Sequence, residues 1–305
     1  MQQRRRGGGY STNTRLAYAR WRLELLTRRV DATVRRLVRE GAPRGTVYNY
    51  VVLKCILQDV YRCIVEGGGV DAKSTYILPG AIWLARALVE GRLSIDQAAS
   101  HIGGVRFLAR RLLRTLVYGR NLTLIIPSNL SPSDIKVYIW VDKVGYDRNG
   151  NPLYTLTMYF LFPFDISELD RRTEFEPVVF LFARRRRDYT PLKAYARVHY
   201  DLYVYDVHGL SEIRILFLRF GHTPKILHAR RVARVTEDGN PVKEFLDRVW
   251  LWLGELLTRL TGVRRVHLAS EPGRVHVHLS YRLPRSKSNP FATPVHPYFV
   301  DVSLP

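Results

Sequence analysis

The sequence predicts an α+β protein: a basic all-α N-terminal module, then an antiparallel β-rich domain with one long helix and a C-terminal hairpin. Up to about residue 118, apolar residues recur at steps of three and four, as in packed helices. Beyond Gly119 the pattern changes to short alternating or wholly apolar runs, which predict strands. We therefore expect a flexible basic arm over 1–12, a nucleic-acid-binding helical module over 13–120 and an α+β domain over 121–305.

The first three helices of the helical module are bounded by glycine and proline. Gly41-Ala42-Pro43 ends the first helix and Gly67-Gly68-Gly69 ends the second, while Pro79 suits the first turn of the third. The predicted helices span 14–40, 47–66 and 79–90.

The segment 89–118 combines a capped start, a glycine pair and an arginine-rich second half. Ser94 and Gln97 have the spacing of a capping box, and Gly103-Gly104 tolerates the positive φ of a tight turn. The cationic face beyond the turn consists of Arg106, Arg110, Arg111 and Arg114. The segment resembles the helix-turn-helix of DNA-binding proteins, which implies that these arginines reach phosphates and guanine edges. An ordinary helix pair with a solvated basic face is the alternative.

The second domain is predicted from runs of β-branched and aromatic residues. Asn149-Gly150 lies at the centre of a hairpin turn over 147–152. A long amphipathic pattern predicts a helix over 241–261, followed by a hairpin over 263–282. The other strands are predicted over 122–126, 135–141, 153–162, 177–183, 194–206, 212–220 and 225–235.

The charge balance indicates a polyanionic partner. The formal net charge is +21, and residues 1–120 hold 22 Lys and Arg against 8 Asp and Glu. Of the 48 cationic residues, 40 are arginine, which binds phosphate in a bidentate manner. Internal ion pairs cannot neutralise such an excess, so we expect a nucleic acid, DNA rather than RNA. Further candidate contacts are Arg4, Arg5 and Arg6 of the arm and the run Arg184, Arg185, Arg186 and Arg187.

Membrane and secretory features are not expected. The N-terminus lacks the apolar segment of a secretion signal, and no apolar run approaches the roughly 20 residues of a membrane span. Cys55 and Cys63, in one predicted helix, can neither bridge nor form a zinc site. We expect an intracellular protein of a thermophile, its virus or a mobile element, or one inside a virion. A homo-oligomer is compatible with the sequence.

The strand over 194–206 suggests a surface for stacking bases. Tyr195, Arg197, His199, Tyr203 and Tyr205 alternate, and would share one face of a continuous strand. Aromatic and cationic side chains together can hold single-stranded nucleic acid. The alternative is an aromatic face packed in the core.

The predicted C-terminal hairpin brings three histidines to one face. A turn at 270–273 places His267, His276 and His278 together, and three histidines can bind a divalent metal. His276-Val277-His278 resembles the paired-histidine motif of HUH endonucleases, which implies metal-dependent nicking by a tyrosine, here Tyr281 or Tyr298. We expect instead that this face binds no metal, because no acidic residue of the hairpin shares it.

A second nuclease hypothesis depends on the order of the C-terminal elements. Strands over 201–207, 212–220 and 225–235, the helix over 241–261 and a strand over 263–269 resemble an RNase H-like domain. The overall order of the chain also resembles that of RNA-guided transposon nucleases, which carry a basic helical and β-barrel region before such a domain. The resemblance implies Mg²⁺ or Mn²⁺ held by carboxylates, here Asp206 and Glu271. The alternative is that Asp206 caps a turn with His208-Gly209.

Nucleic-acid binding without catalysis and without a cofactor is the expected function. A metal-dependent nuclease or transposase is one alternative, and a viral nucleoprotein or capsid subunit that coats a genome is another.

Overall fold

The computed structural model describes residues 12–67, 79–162, 174–198, 201–219, 222–236, 241–270 and 275–279. The chain divides into two compact units, residues 1–104 and 105–305. Helices make up the first unit, whereas the second contains two β-sheets, one complete helix and the last turns of another. The predicted α+β class is confirmed.

Five α-helices are present in the described residues, and four have ends close to those predicted. They are α1 (Thr12–Arg39), α2 (Arg44–Gly67), α3 (Pro79–Val89), α4 (Ile95–Val117) and α5 (Pro241–Thr261). Pro79 and Pro241 begin α3 and α5, where a missing N–H costs no helical hydrogen bond. Gly41, with φ of +66°, follows the end of α1. Within the described ranges, no helix has both the length and the apolar character that a membrane span requires.

The first unit has its core between α1 and α2. Leu23 and Val30 lie seven residues apart on α1, about two helical turns, and both are buried. Leu53 of α2 is buried as well. Asp31 of α1 forms a part-buried ion pair with Lys54 of α2. Apolar packing and this ion pair therefore join the two longest helices.

The fourth helix differs from its prediction. It runs without a break from Ile95 to Val117, so the turn predicted at Gly103-Gly104 is wrong. The predicted capping box is confirmed: Ser94 N donates to Gln97 Oε1 at 2.8 Å, and Gln97 N donates to Ser94 Oγ at 3.1 Å. A continuous buried stripe explains the unbroken helix, formed by Ala98, Ile102, Val105, Ala109, Leu112 and Leu116.

The two glycines of α4 have different surroundings. A Cβ atom at Gly103 would lie 2.7 Å from Asn49 Nδ2 of α2, whereas a Cβ at Gly104 would meet nothing within 4 Å. Gly103 therefore permits a close approach of α2 to α4. Glycine is favoured both where two helices pack closely and where the chain turns tightly. The sequence pattern alone therefore could not distinguish these two cases at Gly103.

Two sheets form the second unit. The strands are β1 (Thr123–Pro127), β2 (Lys136–Tyr146), β3 (Pro152–Phe162), β4 (Glu174–Arg185), β5 (Asp188–Val198), β6 (Asp201–Asp206), β7 (Arg214–Phe217), β8 (Pro224–Leu227), β9 (Arg230–Thr236), β10 (Val263–His267) and β11 (His276–Leu279). The larger sheet has the order β11-β2-β3-β4-β5-β6-β9, antiparallel except where β11 joins β2. The smaller has the order β10-β1-β7-β8, with β1 and β7 parallel.

Aromatic rings join the two sheets. The ring centroids of Phe160 and Phe162 on β3 lie 4.8 Å and 5.0 Å from that of Phe217 on β7. The His222 ring stacks on Phe162 at a centroid distance of 4.3 Å. All four side chains are fully buried. The alternate residues of β3 thus face the smaller sheet and form the centre of the core.

The hairpin turn predicted over 147–152 is confirmed between β2 and β3. The Asp147 carboxylate accepts hydrogen bonds from the backbone N–H groups of Asn149 and Asn151, at 2.9 Å and 2.8 Å. Gly150 has φ of +75°, which glycine adopts at no steric cost. Hydrogen bonds from Asn151, and then the nearby Arg185, hold the pKa of Asp147 below its usual value.

Three strand predictions are wrong, because each treated neighbouring segments as one strand or one hairpin although the segments pair differently in the sheets. The strand predicted over 194–206 is a pair, β5 and β6, whose chain reverses between Val198 and Asp201. The strand predicted over 225–235 is interrupted at His228, where φ is +59°, and β8 and β9 join different sheets. The C-terminal hairpin does not form, because β10 pairs with β1 and β11 with β2. Val266 thereby lies opposite Leu124, and Val277 opposite Val137.

The continuity of α4 predicts opposite outcomes at its two glycines. Replacing Gly104 by Ala should raise the free energy of unfolding by about 0.5–1 kcal/mol, because alanine is the better helix former and the site is open. Replacing Gly103 by Ala should lose most of that gain, because the new methyl group displaces Asn49. Urea unfolding of both variants measures the difference. Destabilisation by Gly104→Ala would indicate a turn at this position.

Candidate nucleic-acid interface

Arg111 brings together two groups of arginines that are far apart in the sequence. Its Nη2 atom donates to the backbone oxygen of Arg187, in the turn between β4 and β5, at 3.1 Å. Its guanidinium carbon also lies 5.4 Å from the ring centroid of Tyr189 and 5.8 Å from that of Phe107. The last turns of α4 therefore meet the β4–β5 turn, and Arg111 is held in place by both.

The exposed arginines of the two segments form what we call the basic cluster. It consists of Arg110, Arg111 and Arg114 on α4 and Arg184, Arg185, Arg186 and Arg187 around the β4–β5 turn. All seven side chains are exposed, whereas Arg106, the fourth arginine predicted for this face of α4, is only half-exposed. The sequence identified the arginines of both segments but gave no sign that the segments meet.

The β4–β5 turn has an unfavourable backbone conformation. Arg185 lies opposite Asp188 in the β4–β5 backbone ladder, so Arg186 and Arg187 alone reverse the chain. Arg186 has φ of +55°, in the left-handed region that glycine or asparagine adopts more readily. A non-glycine residue in this region costs roughly 1 kcal/mol. Retaining an arginine there is consistent with a role for its charge.

Ion pairs within the described part of the chain do not neutralise the charge of the basic cluster. Among the described residues, no carboxylate lies within ion-pair distance of any of its seven guanidinium groups. Elsewhere arginines do pair, as Arg28 with Glu24, Arg214 with Glu212 and Arg234 with Asp201. The cluster thus concentrates positive potential at one place on the second unit.

A neighbouring hairpin extends this basic edge. The β3–β4 register sets Leu153 opposite Ala183, so the β2–β3 turn and the β4–β5 turn lie at the same end of the larger sheet. Lys143 Nζ donates to the hydroxyl of Tyr146 at 2.6 Å, which raises the pKa of this lysine, and Arg148 is exposed in the turn. Lys143 and Arg148 were not among the predicted contacts, although the Asn-Gly turn that presents them is a visible signal in the sequence.

The predicted stacking surface on 194–206 is wrong. Ala196 is opposite Tyr203 and Ala194 is opposite Tyr205, so these tyrosines lie on the other face of the sheet from Tyr195 and Arg197. Both Tyr203 and Tyr205 are buried in the core. Tyr195 is half-exposed and Arg197 is exposed, while His199 lies outside the described residues.

The three histidines do not share a face. His267 belongs to the smaller sheet, where its Nδ1 lies 3.0 Å from the buried hydroxyl of Thr123. His276 and His278 belong to the larger sheet, opposite Lys136 and Tyr138. The predicted metal face depended on a hairpin that does not form. Within the described part of the chain, no group of three histidine, cysteine or acidic residues could hold a metal ion.

Asp206, the described carboxylate of the second nuclease hypothesis, has a structural role in a turn. Asp206 Oδ1 accepts a hydrogen bond from the His208 backbone at 3.1 Å, and Oδ2 lies 3.4 Å from an Arg230 nitrogen. Asp206 therefore caps a turn. The strands of the proposed RNase H-like domain belong to two different sheets, so the predicted order is wrong. Glu271 lies outside the described residues, as do Arg4, Arg5 and Arg6.

Comparison with known proteins identifies no relative. The chain matches no protein-family model. The curated proteins and the solved structures likewise give no match. The geometry and charge of the basic cluster are therefore the basis for assigning a function.

The ion pair of Glu212 with Arg214 predicts a pH-dependent contribution to stability. A hydrogen bond from Arg214 holds the pKa of Glu212 below its ordinary value of 4.5. The ion pair should therefore stabilise the fold above about pH 4.5 and lose its effect as pH falls through the lower, folded-state value. Glu212→Gln should cost about 1 kcal/mol at pH 7 and much less at pH 3, measured by urea unfolding.

Glu24→Gln is the control for this measurement, because Glu24 and Arg28 form an exposed pair within one helix. Such pairs contribute only about 0.3–0.5 kcal/mol. Equal losses in the two variants at pH 7 would contradict a structural role for Glu212.

Proposed function

We propose that this protein binds nucleic acid through the phosphate backbone, and that the basic cluster is its principal contact surface. The observation that carries the proposal is the contact of Arg111 with the β4–β5 turn. This contact gathers exposed arginines that have no carboxylate partner among the residues that the structure describes. Arginine donors match the oxygens of a phosphate, and backbone contacts supply most of the affinity in such complexes.

The support given to Arg111 favours binding. One of its donors is used by the carbonyl of Arg187, and its plane lies near Tyr189, so its position is fixed before a ligand arrives. A guanidinium group has five N–H donors, which leaves others for a phosphate. A fixed arginine loses less side-chain entropy on binding than a free one.

The mode of binding that we propose is directed to the backbone and independent of sequence. A separate recognition helix requires a turn at Gly103-Gly104, and α4 runs through these residues without one. The arginines on two elements can instead follow phosphates along a duplex, which positions a protein without selecting bases. We propose duplex DNA as the natural ligand, and a duplex RNA of the same sequence is the comparison.

The salt dependence of binding tests the proposal directly. If about five phosphates are neutralised, the logarithm of the association constant should fall with the logarithm of salt concentration with a slope of about −4.5 on duplex DNA. Fluorescence anisotropy over a series of salt concentrations measures this slope. A nearly flat response, or no binding at low salt, would exclude a polyanionic ligand.

Variants of the basic cluster locate the contact surface. Arg186→Gly should reduce the magnitude of the slope by about one. It should leave the melting temperature unchanged or slightly higher, because glycine tolerates the φ of this turn. Arg110→Ala with Arg114→Ala should reduce the magnitude of the slope by about two, again without unfolding, because both side chains are exposed. The same binding assay and a thermal melt follow both effects.

A double variant elsewhere provides the matched control. Arg264→Ala with Arg265→Ala removes the same charge from exposed positions on β10 in the smaller sheet. Its slope should equal that of the unmodified protein. If the magnitude of its slope decreases as much as that of the Arg110/Arg114 variant, net charge rather than the basic cluster determines binding.

A further inference from the structure

Helix α5 exposes a long apolar stripe. Phe245 and Trp252 are each 64% exposed, and Leu260 is 73% exposed. Leu246, Val249 and Leu256 are exposed between them. Single exposed apolar residues are common on protein surfaces, but a contiguous stripe along a whole helix marks an interaction site.

The opposite face of α5 attaches the helix to the second unit. Gly254 and Thr258 are buried there. Thr258 Oγ1 accepts a hydrogen bond from the Arg219 backbone at 2.9 Å, and Lys225 pairs with Glu255. A surface helix normally turns its apolar side inward. Here the described buried residues are small or polar, namely Gly254 and Thr258, while several larger apolar residues of α5 remain exposed.

The apolar stripe has the period of a paired helix. Along α5 the residues Val242, Leu246, Val249, Leu253, Leu256 and Leu260 are spaced alternately by four and three. This is the heptad pattern of helices that pack against another helix along their full length. Phe245 and Trp252 are one heptad apart and flank the seam. A 3.5-residue period keeps the seam directed at one partner.

The exposed area matches what a dimer needs. Six side chains leave roughly 700 Å² of apolar surface in solvent: Phe245, Leu246, Val249, Trp252, Leu256 and Leu260. This sum takes about 150–250 Å² for a whole aromatic side chain and somewhat less for an aliphatic one, each multiplied by its exposed fraction. A stable protein–protein interface buries about 800 Å² on each partner. Among the described residues, none covers this face.

We infer that α5 forms a two-fold interface with α5 of a second copy of this chain. Two identical heptad seams are complementary to each other, and the commonest soluble oligomers are two-fold dimers joined by the same surface on both subunits. The aromatic residues that flank the seam, Trp252 above all, are the residue type on which interface affinity most often depends. The inference is independent of nucleic-acid binding.

Sedimentation equilibrium of the full-length protein, freed of nucleic acid and held in 1 M salt, tests the inference. High salt suppresses binding to polyanions but not apolar association, so the two proposals can fail separately. We expect a dimer at micromolar concentration. Trp252→Glu with Leu256→Glu should weaken dimerisation by at least about 30-fold, while Trp252→Leu should remain dimeric.

Val144→Glu is the matched control, because Val144 is an exposed apolar residue on a different element, β2. It should remain dimeric. Circular dichroism verifies folding, and if the Trp252/Leu256 variant unfolds, Leu260→Glu at the end of the seam takes its place. A monomeric unmodified protein would overturn the inference and point to another segment or protein as the occupant. A dimer that survives these charge substitutions would also overturn it.

Discussion

The contact between Phe217 and the two phenylalanines of β3 is the interaction on which the second unit depends. It holds the smaller sheet against the middle of the larger one, so that the alternate residues of β3 are inaccessible to water. With its centre fixed in this way, the larger sheet can present two hairpin turns from one end. The basic cluster therefore rests on a rigid sheet even though its arginines are exposed.

The arginines at the β4–β5 turn lower the conformational stability of the fold and concentrate positive charge there. A glycine in place of Arg186 would relieve the backbone, and an ion pair with a carboxylate would relieve the repulsion between the arginines. The turn has no glycine, and no carboxylate of the described residues lies within ion-pair distance. Local preferences are most often violated where a protein acts. The partners found for Arg111 are a carbonyl oxygen and aromatic rings, which position the guanidinium group without cancelling its charge.

The sequence predicted the features that local chemistry determines. The ends of α5, the Ser94 capping box and the turn at Gly150 follow from proline, hydroxyl and glycine preferences. Features that depend on a distant partner could not be predicted. Gly103 is required by Asn49, not by a turn, and β10 and β11 join different sheets. The basic cluster lies between these cases, since its arginines were evident but their meeting through Arg111 was not.

The position of β11 bears on how the chain folds during synthesis. This strand comes from residues 276–279, yet it completes the larger sheet beside β2, whose paired residues are 136–139. Until β11 arrives, the edge of β2 has unpaired backbone groups next to the large side chains of Tyr138 and Trp140, a combination that invites association with other chains. Such long-range pairing also slows folding. A nascent chain that pauses before residue 276 is therefore at greatest risk of aggregation.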